Sequence, residues 1–373
     1  MNILNEFTRA GILLNAVKVP YKIFMKLCEN FEPEELLTGN EKFFEELGLN
    51  KNLREKISNL INENFAEKEL DRLENFNARF ISAKDLDYPA KLKDLSNPPI
   101  GLYVKGNANI SLPSVAIVGT RKCSDYARNT ATNIARALAK NNITVISGGA
   151  RGIDTAGHRG SLSEDGVTVA VFGTGIDRIY PAENRDLFSR ILEKGALISE
   201  YPMGTGGDIW RFPERNRIIV GIASRVVVVE SPEGGGAMLT AHEAFDLGRE
   251  VWAVPGRITD DVCRGTNTLF NEGAKAVISI QDFIEKISGI HEQFNLNFDE
   301  YIDAPKNKIE KSAPVLSDEE KIIYSILQRQ GGKLIDEILD ESKLDFSTVQ
   351  VALMNLEAGG LIINSSARYS ATA

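Results

Sequence analysis

The stretch SVAIVGTRKCSDYARNTATNIARALAKNNITVISGG, residues 114–149, holds a strand, an amphipathic helix and a second strand, in that order. Val115-Ala116-Ile117-Val118 is a short apolar run closed by Gly119. Residues 126–140 then carry alanine, isoleucine and leucine at helical spacing. Ile143-Thr144-Val145-Ile146 begins the next strand. A strand that is apolar throughout is buried on both faces, as in a parallel sheet covered by helices. The pattern continues outward, with further apolar strands at 167–172, 196–199, 225–229 and 250–254 separated by helical stretches. This alternation predicts an α/β fold with an extended Rossmann-like parallel sheet. Ligands of such sheets lie beyond the carboxyl ends of the strands, so the loops there are where function is expected.

The flanks differ in character. Residues 1–66 suggest a small helical domain, with Ile23, Phe24 and Leu27, then Phe43, Phe44 and Leu47, at helical spacing. Leu47-Gly48-Leu49 followed by Leu53, Ile57 and Ile61 outlines either a helix-hairpin-helix-like unit or a plain helical bundle. The core is expected over 67–287 and a polar linker over 288–314. Residues 315–373 predict a winged-helix domain, opened by Ser317 and Glu320 as a helix cap and closed by Leu361-Ile362-Ile363 as a strand. That module is acidic, which leaves DNA contact, protein contact and a structural role all open.

Composition narrows the function. With 43% hydrophobic and 25% charged residues, the chain is folded rather than disordered. It holds no apolar run of bilayer-spanning length and no leader pattern, so a cytoplasmic protein without a membrane partner is expected. Cys28, Cys123 and Cys263 lie far apart, and the three histidines are scattered. Neither a disulfide framework, a metal site nor a cofactor is expected. Net charge is −9, unfavourable for a polyanion binder, but residues 114–282 carry 19 basic against 20 acidic side chains. Fifteen of those cations are arginine, the side chain that grips phosphate bidentately.

The loops supply the candidate residues. Gly119-Thr120-Arg121-Lys122 combines close backbone approach, a hydroxyl and two cations at a helix start, which suits phosphate. Ser147-Gly148-Gly149 ends the second strand, and Gly173-Thr174-Gly175 ends the third. Asn184 and Arg185 follow Tyr180-Pro181. Arg215-Asn216-Arg217 and the run Gly234-Gly235-Gly236 complete the set. No GxxxxGK[ST] loop is present, and no GxGxxG follows the first strand, which disfavours triphosphate hydrolysis and a dinucleotide cofactor. Phe172, Tyr180, Trp210 and Phe212 are candidates for base stacking, although Phe172 fits a core position better. His158 and His242 fit packing or capping better than acid-base work, since no nucleophile completes a set.

The ordered loops SGGARGID…H, GTGID..YP..N, ISE.P, FPERNRII, GGGAMLTA and VPG……G.N.L…GA resemble those of the DNA-processing protein A (DprA/Smf) family. The resemblance spans about residues 88–276. It implies a single-stranded-DNA binder, not an enzyme, that forms a homodimer and loads RecA recombinase onto incoming strands during natural transformation. It also implies that Arg121 contacts the strand, with Gly148, Gly149, Gly173 and Gly175 along the same face. Two positions depart from the family pattern. Ala182 and Glu183 follow the Tyr-Pro pair where a lysine is common, with Arg185 as the candidate substitute cation. Ala237 replaces a serine. A Rossmann-like nucleotide hydrolase is the main alternative, with Glu243 as its displaced carboxylate, and a mononucleotide-binding regulator is the other. The apolar Leu269-Phe270 pair and residues 274–280 are the candidate dimer contact.

Overall fold

The computed structural model describes residues 7–33, 35–37, 48–107, 113–288, 317–329, 333–358, 361–365 and 368–371. Phe43, Phe44 and Leu47 of the proposed hairpin unit and the expected linker from 289 onward lie outside them. The chain divides into two compact units, Met1–Tyr301 and Ile302–Ala373.

The first unit is organised by one sheet. Its strands in chain order are β1 (Ala78–Ser82), β2 (Gly101–Gly106), β3 (Ser114–Val118), β4 (Thr144–Ser147), β5 (Thr168–Phe172), β6 (Ala196–Ser199), β7 (Arg225–Val228), β8 (Glu250–Ala253) and β9 (Lys275–Ala276). In space they run β1-β2-β6-β5-β4-β3-β7-β8-β9. From β6 to β9 every neighbouring pair is parallel, whereas β1 and β2 add an antiparallel edge that the apolar pattern does not announce. The chain winds from β3 outward to β6, then returns to place β7 on the other side of β3. The β3/β7 boundary is therefore the topological switch point, where a crevice opens at the carboxyl ends.

Successive side chains of a strand point to opposite faces. Val115 and Ile117 join one apolar cluster, with Ala131, Ile134 and Leu138 of the helix Asp125–Lys140 and with Trp252 and Phe283. Ala116 and Val118 join the other, with Ile218 and Ile222 of the helix Arg211–Ile222 and Ala241 of the helix Gly236–Asp246. Leu13, Phe24 and Ile57 of the N-terminal helices belong to that second cluster. The helix Phe65–Asn75 runs across the boundary expected at residue 66. Residues before that boundary thus share a core with the sheet.

His158 sits in the helix Ile153–Ser163, fully buried, its Nδ1 2.7 Å from Thr168 Oγ1. Burial, with the Arg215 charge nearby, pushes its pKa down to about 3. The unfolded chain therefore binds a proton there more readily than the folded one, and stability falls as pH drops from about 6.5 toward 3. Between pH 6.5 and 5.5 the loss should be roughly 1 kcal/mol. Urea unfolding across that window should show the slope in the wild type and a flatter profile in His158→Gln.

The second unit contains the helices Asp318–Arg329, Ile335–Ser342 and Phe346–Ala358 with a three-stranded antiparallel sheet. Ile323, Leu327, Ile338, Leu353 and Leu356 form its core. The expected cap is present: the Glu320 amide donates to Ser317 Oγ at 3.2 Å, and Glu320 Oε2 accepts from the Ser317 amide at 2.8 Å.

Candidate nucleic-acid interface

At the β3/β7 switch point lies a cleft of about 440 Å³. Three stretches form it: the turn Gly119–Lys122 after β3, the start of the helix Arg211–Ile222, and the loop after β7 that runs from Ser231 into the helix Gly236–Asp246.

The first wall is fixed by contacts that the side chains dictate. A Cβ on Gly119 would stand 2.5 Å from Ile153 Cγ1 and 2.9 Å from the Glu230 carbonyl oxygen, so only glycine passes there. The Thr120 amide donates to that carbonyl at 2.7 Å. Glu230 is buried, and its carboxylate accepts from the Ser124 amide at 2.8 Å and the Ser124 hydroxyl at 2.7 Å. Ser124 Oγ in turn accepts from the Ala127 amide, capping the next helix. Arg121 and Lys122 are left exposed at the mouth, with no ion pair among the described residues. The Arg121 guanidinium lies 5.3 Å from the centroid of Phe212, whose ring is 5.2 Å from that of Tyr180.

The floor is charged. Arg215 is 4% exposed and donates to the Val171 carbonyl. Its guanidinium fills the space that a Gly148 side chain would take, 2.0 Å from the position of a Cβ. Asp154, also buried, accepts from the Gly148 and Ala150 amides at 3.1 and 3.2 Å. Burial lowers the Arg215 pKa to about 10, with Asp154 opposing the shift and Arg121 adding to it. Burial raises the Asp154 pKa against the pull of Arg215. Arg215 Nε has no hydrogen-bond partner. Two guanidinium groups thus act on one cleft, and a buried cation left short of partners favours an anion there. Opposite them the helix Gly236–Asp246 begins at Gly235 with no side-chain cap, and a Cβ on Gly236 would meet nothing within 4 Å. Its first amides carry a partial positive charge.

Of the residues expected from sequence, the structure brings Gly119, Thr120, Arg121, Lys122, Arg215, Asn216, Gly235 and Gly236 to the cleft. The others stand elsewhere. Ser147 is buried and donates to the Ile117 carbonyl at 2.7 Å. Gly149, at φ +67°, lies against Phe188. Gly173 packs under Phe212, and the Gly175 amide is spent on the Thr205 carbonyl. Asn184 is buried, donating to the Gly149 carbonyl and Thr155 Oγ1. Arg185 is exposed at a helix start away from the cleft lining. The cation that meets Glu183 is Arg151.

Arg217 corrects the idea of a single arginine track. It is 8% exposed and paired with Glu200. Residues two apart on a helix lie about 200° around its axis, so Arg215 and Arg217 cannot share a face. Sequence reasoning missed the supporting carboxylates Asp154 and Glu230. Glu230 carried a signal, an acid placed directly after the apolar run of β7. Among the described residues no group of three or more His, Cys, Asp or Glu could hold a metal, and no helix is long and apolar enough to cross a membrane.

Comparison with known proteins agrees with this geometry. Residues 79–288 match the family model described as DNA recombination-mediator protein A. The Synechocystis protein Smf is 36% identical over 226 residues, covering 59% of this chain and 57% of that protein. The crystal structure of DNA processing protein A from Streptococcus pneumoniae superposes with a TM-score of 0.65 at 32% identity, covering 77% of this chain and 97% of that one. DNA processing protein A from Helicobacter pylori, solved to describe its single-stranded-DNA binding mode, gives 0.52 at 28% identity over 57% and 97%. With more than half of its length matched and its sheet shared, this chain belongs to the DNA recombination-mediator protein A family.

Proposed function

We propose that the chain binds single-stranded DNA at this cleft and acts on it as a recombination mediator. A phosphate sits between Arg121, Arg215 and the amides of the helix Gly236–Asp246, and an adjoining base stacks on Phe212 and Tyr180. The observation that carries the reading is the meeting of cation, free amides and paired aromatic rings at one mouth, the combination a single strand needs. The DNA-binding relative from Helicobacter pylori, with the same sheet, supports it. Family membership extends the proposal to RecA recombinase as partner, to natural transformation as setting, to a cytoplasmic location and to a homodimer. For the dimer contact, Leu269 is fully buried within one chain, whereas Ile278 is 79% exposed and free to meet a second copy. The carboxyl-terminal unit fits a winged-helix reading.

A binder rather than an enzyme is proposed because the carboxylate a nucleotide hydrolase would use, Glu243, is absent from the cleft lining. A mononucleotide binder is the competing reading, since the cleft volume suits one nucleotide. Fluorescence anisotropy with labelled oligothymidylate, its duplex form and free thymidine monophosphate separates these. Single strand should bind more tightly than duplex, with affinity rising with length. With two unpaired cations at the mouth, the log-log salt slope should be about −1.4, from about −0.7 per phosphate. Full competition by the monophosphate with no length dependence would favour the pocket reading.

A further inference from the structure

We propose a second nucleotide subsite at Trp210, formed jointly by the N-terminal helical segment and the start of the helix Arg211–Ile222, where a later base of the same strand stacks on the indole. The proposal rests on the single-strand reading above. Trp210 is 54% exposed, whereas the chain's other tryptophan, Trp252, is 1% exposed. A large aromatic ring left half in water, next to Ile209 at 87% exposure, is a surface awaiting a partner.

Two cations hold the ring. Lys18 Nζ lies 4.7 Å from its centroid and the Arg211 guanidinium 4.8 Å. Each already has a carboxylate: Lys18 pairs with Glu214 at 2.8 Å and Arg211 with Asp208 at 2.9 Å. The patch therefore has little net charge and is not a phosphate trap. The cations fix the indole through its π face and leave the base to be held by stacking. Lys18 comes from the turn after the helix Thr8–Ala16, and Asn15 of that helix donates to the Glu200 carbonyl at 2.8 Å. That anchors the N-terminal segment to the loop that carries Trp210.

Continuity with the cleft identifies the occupant. Phe212 is two residues along, Tyr180 stands beside it, and a Cβ on Gly207 would lie 3.5 Å from Phe212 and 3.9 Å from Tyr180. The aromatic rings Tyr180, Phe212 and Trp210 thus lead from the cleft toward the N-terminal helices.

The test uses the full chain with a short oligothymidylate that fills only the cleft and a longer one that reaches Trp210. Labelled-strand anisotropy reports binding, and tryptophan emission reports the exposed indole, because Trp252 is buried. The long strand should quench emission and the short one leave it unchanged. Trp210→Ala should weaken the long strand about tenfold and the short one less than about twofold, while Trp210→Phe keeps most of the affinity. Lys18→Met should weaken the long strand alone. Long-strand binding without quenching, or indifferent to Trp210→Ala, overturns the subsite and leaves the cleft reading standing. Indifference to Lys18→Met overturns its joint construction. No binding of either strand by the wild type overturns the single-strand reading itself.

Discussion

Alanine in place of Asp154 is expected to destabilise the folded chain by about 3–5 kcal/mol. The carboxylate is 7% exposed and supplies the acceptor for two loop amides, Gly148 and Ala150. It is also the negative charge that opposes the cost of burying the Arg215 guanidinium. Removing it leaves the amides without an acceptor and the cation without compensation in a low dielectric, two of the mechanisms behind the largest single-site losses. Urea unfolding should show a lower midpoint at unchanged slope. Asp154→Asn keeps an acceptor oxygen and drops the charge, so the gap between the two variants isolates the charge contribution. A loss under about 1 kcal/mol for the alanine variant would mean that Arg215 is stabilised by something other than this carboxylate.

Arg121→Ala should weaken single-strand binding by about 1–3 kcal/mol, the range for losing a charged hydrogen bond. The side chain is exposed and carries no ion pair among the described residues, so the thermal midpoint should not move. The salt slope should become shallower by about 0.7, one phosphate fewer. Arg121→Lys restores the charge but not the planar group over Phe212, and should fall between alanine and wild type. Wild-type affinity for the alanine variant at low salt would remove the cleft from the binding path.

Much of the core was readable because β3 through β8 are short runs of apolar side chains with no polar interruption, a pattern that only a sheet covered on both faces explains. The antiparallel edge was harder. In β1, Arg79 interrupts the apolar run, and an edge strand leaves no signature comparable to that of a central one. The helix Phe65–Asn75 crossed the expected boundary because neither glycine nor proline marks a break there.

The site was half legible. Gly119 through Lys122 and the glycine run before Ala237 sit at strand ends, where topology alone places a ligand. The Arg-Asn-Arg segment misled because arginine is read as a surface cation, yet helical geometry sends Arg215 under the cleft and Arg217 away from it. Ser147 and Asn184 look like ligands in sequence and serve as internal struts instead, since a hydroxyl or amide beside a buried loop is claimed by the nearest backbone group.

Glu230 joins the ends of two strands that are distant in sequence: its backbone holds the Thr120 amide while its side chain holds Ser124. That stapling makes the recognition loop preorganised, so little conformational freedom remains to be surrendered when a ligand arrives. Encounter with a strand then requires the flexible polymer, not the protein, to adopt the matching shape. A stiff duplex lacks that freedom, so the rejection of double-stranded DNA follows from the inflexibility of one turn as much as from the placement of any charge.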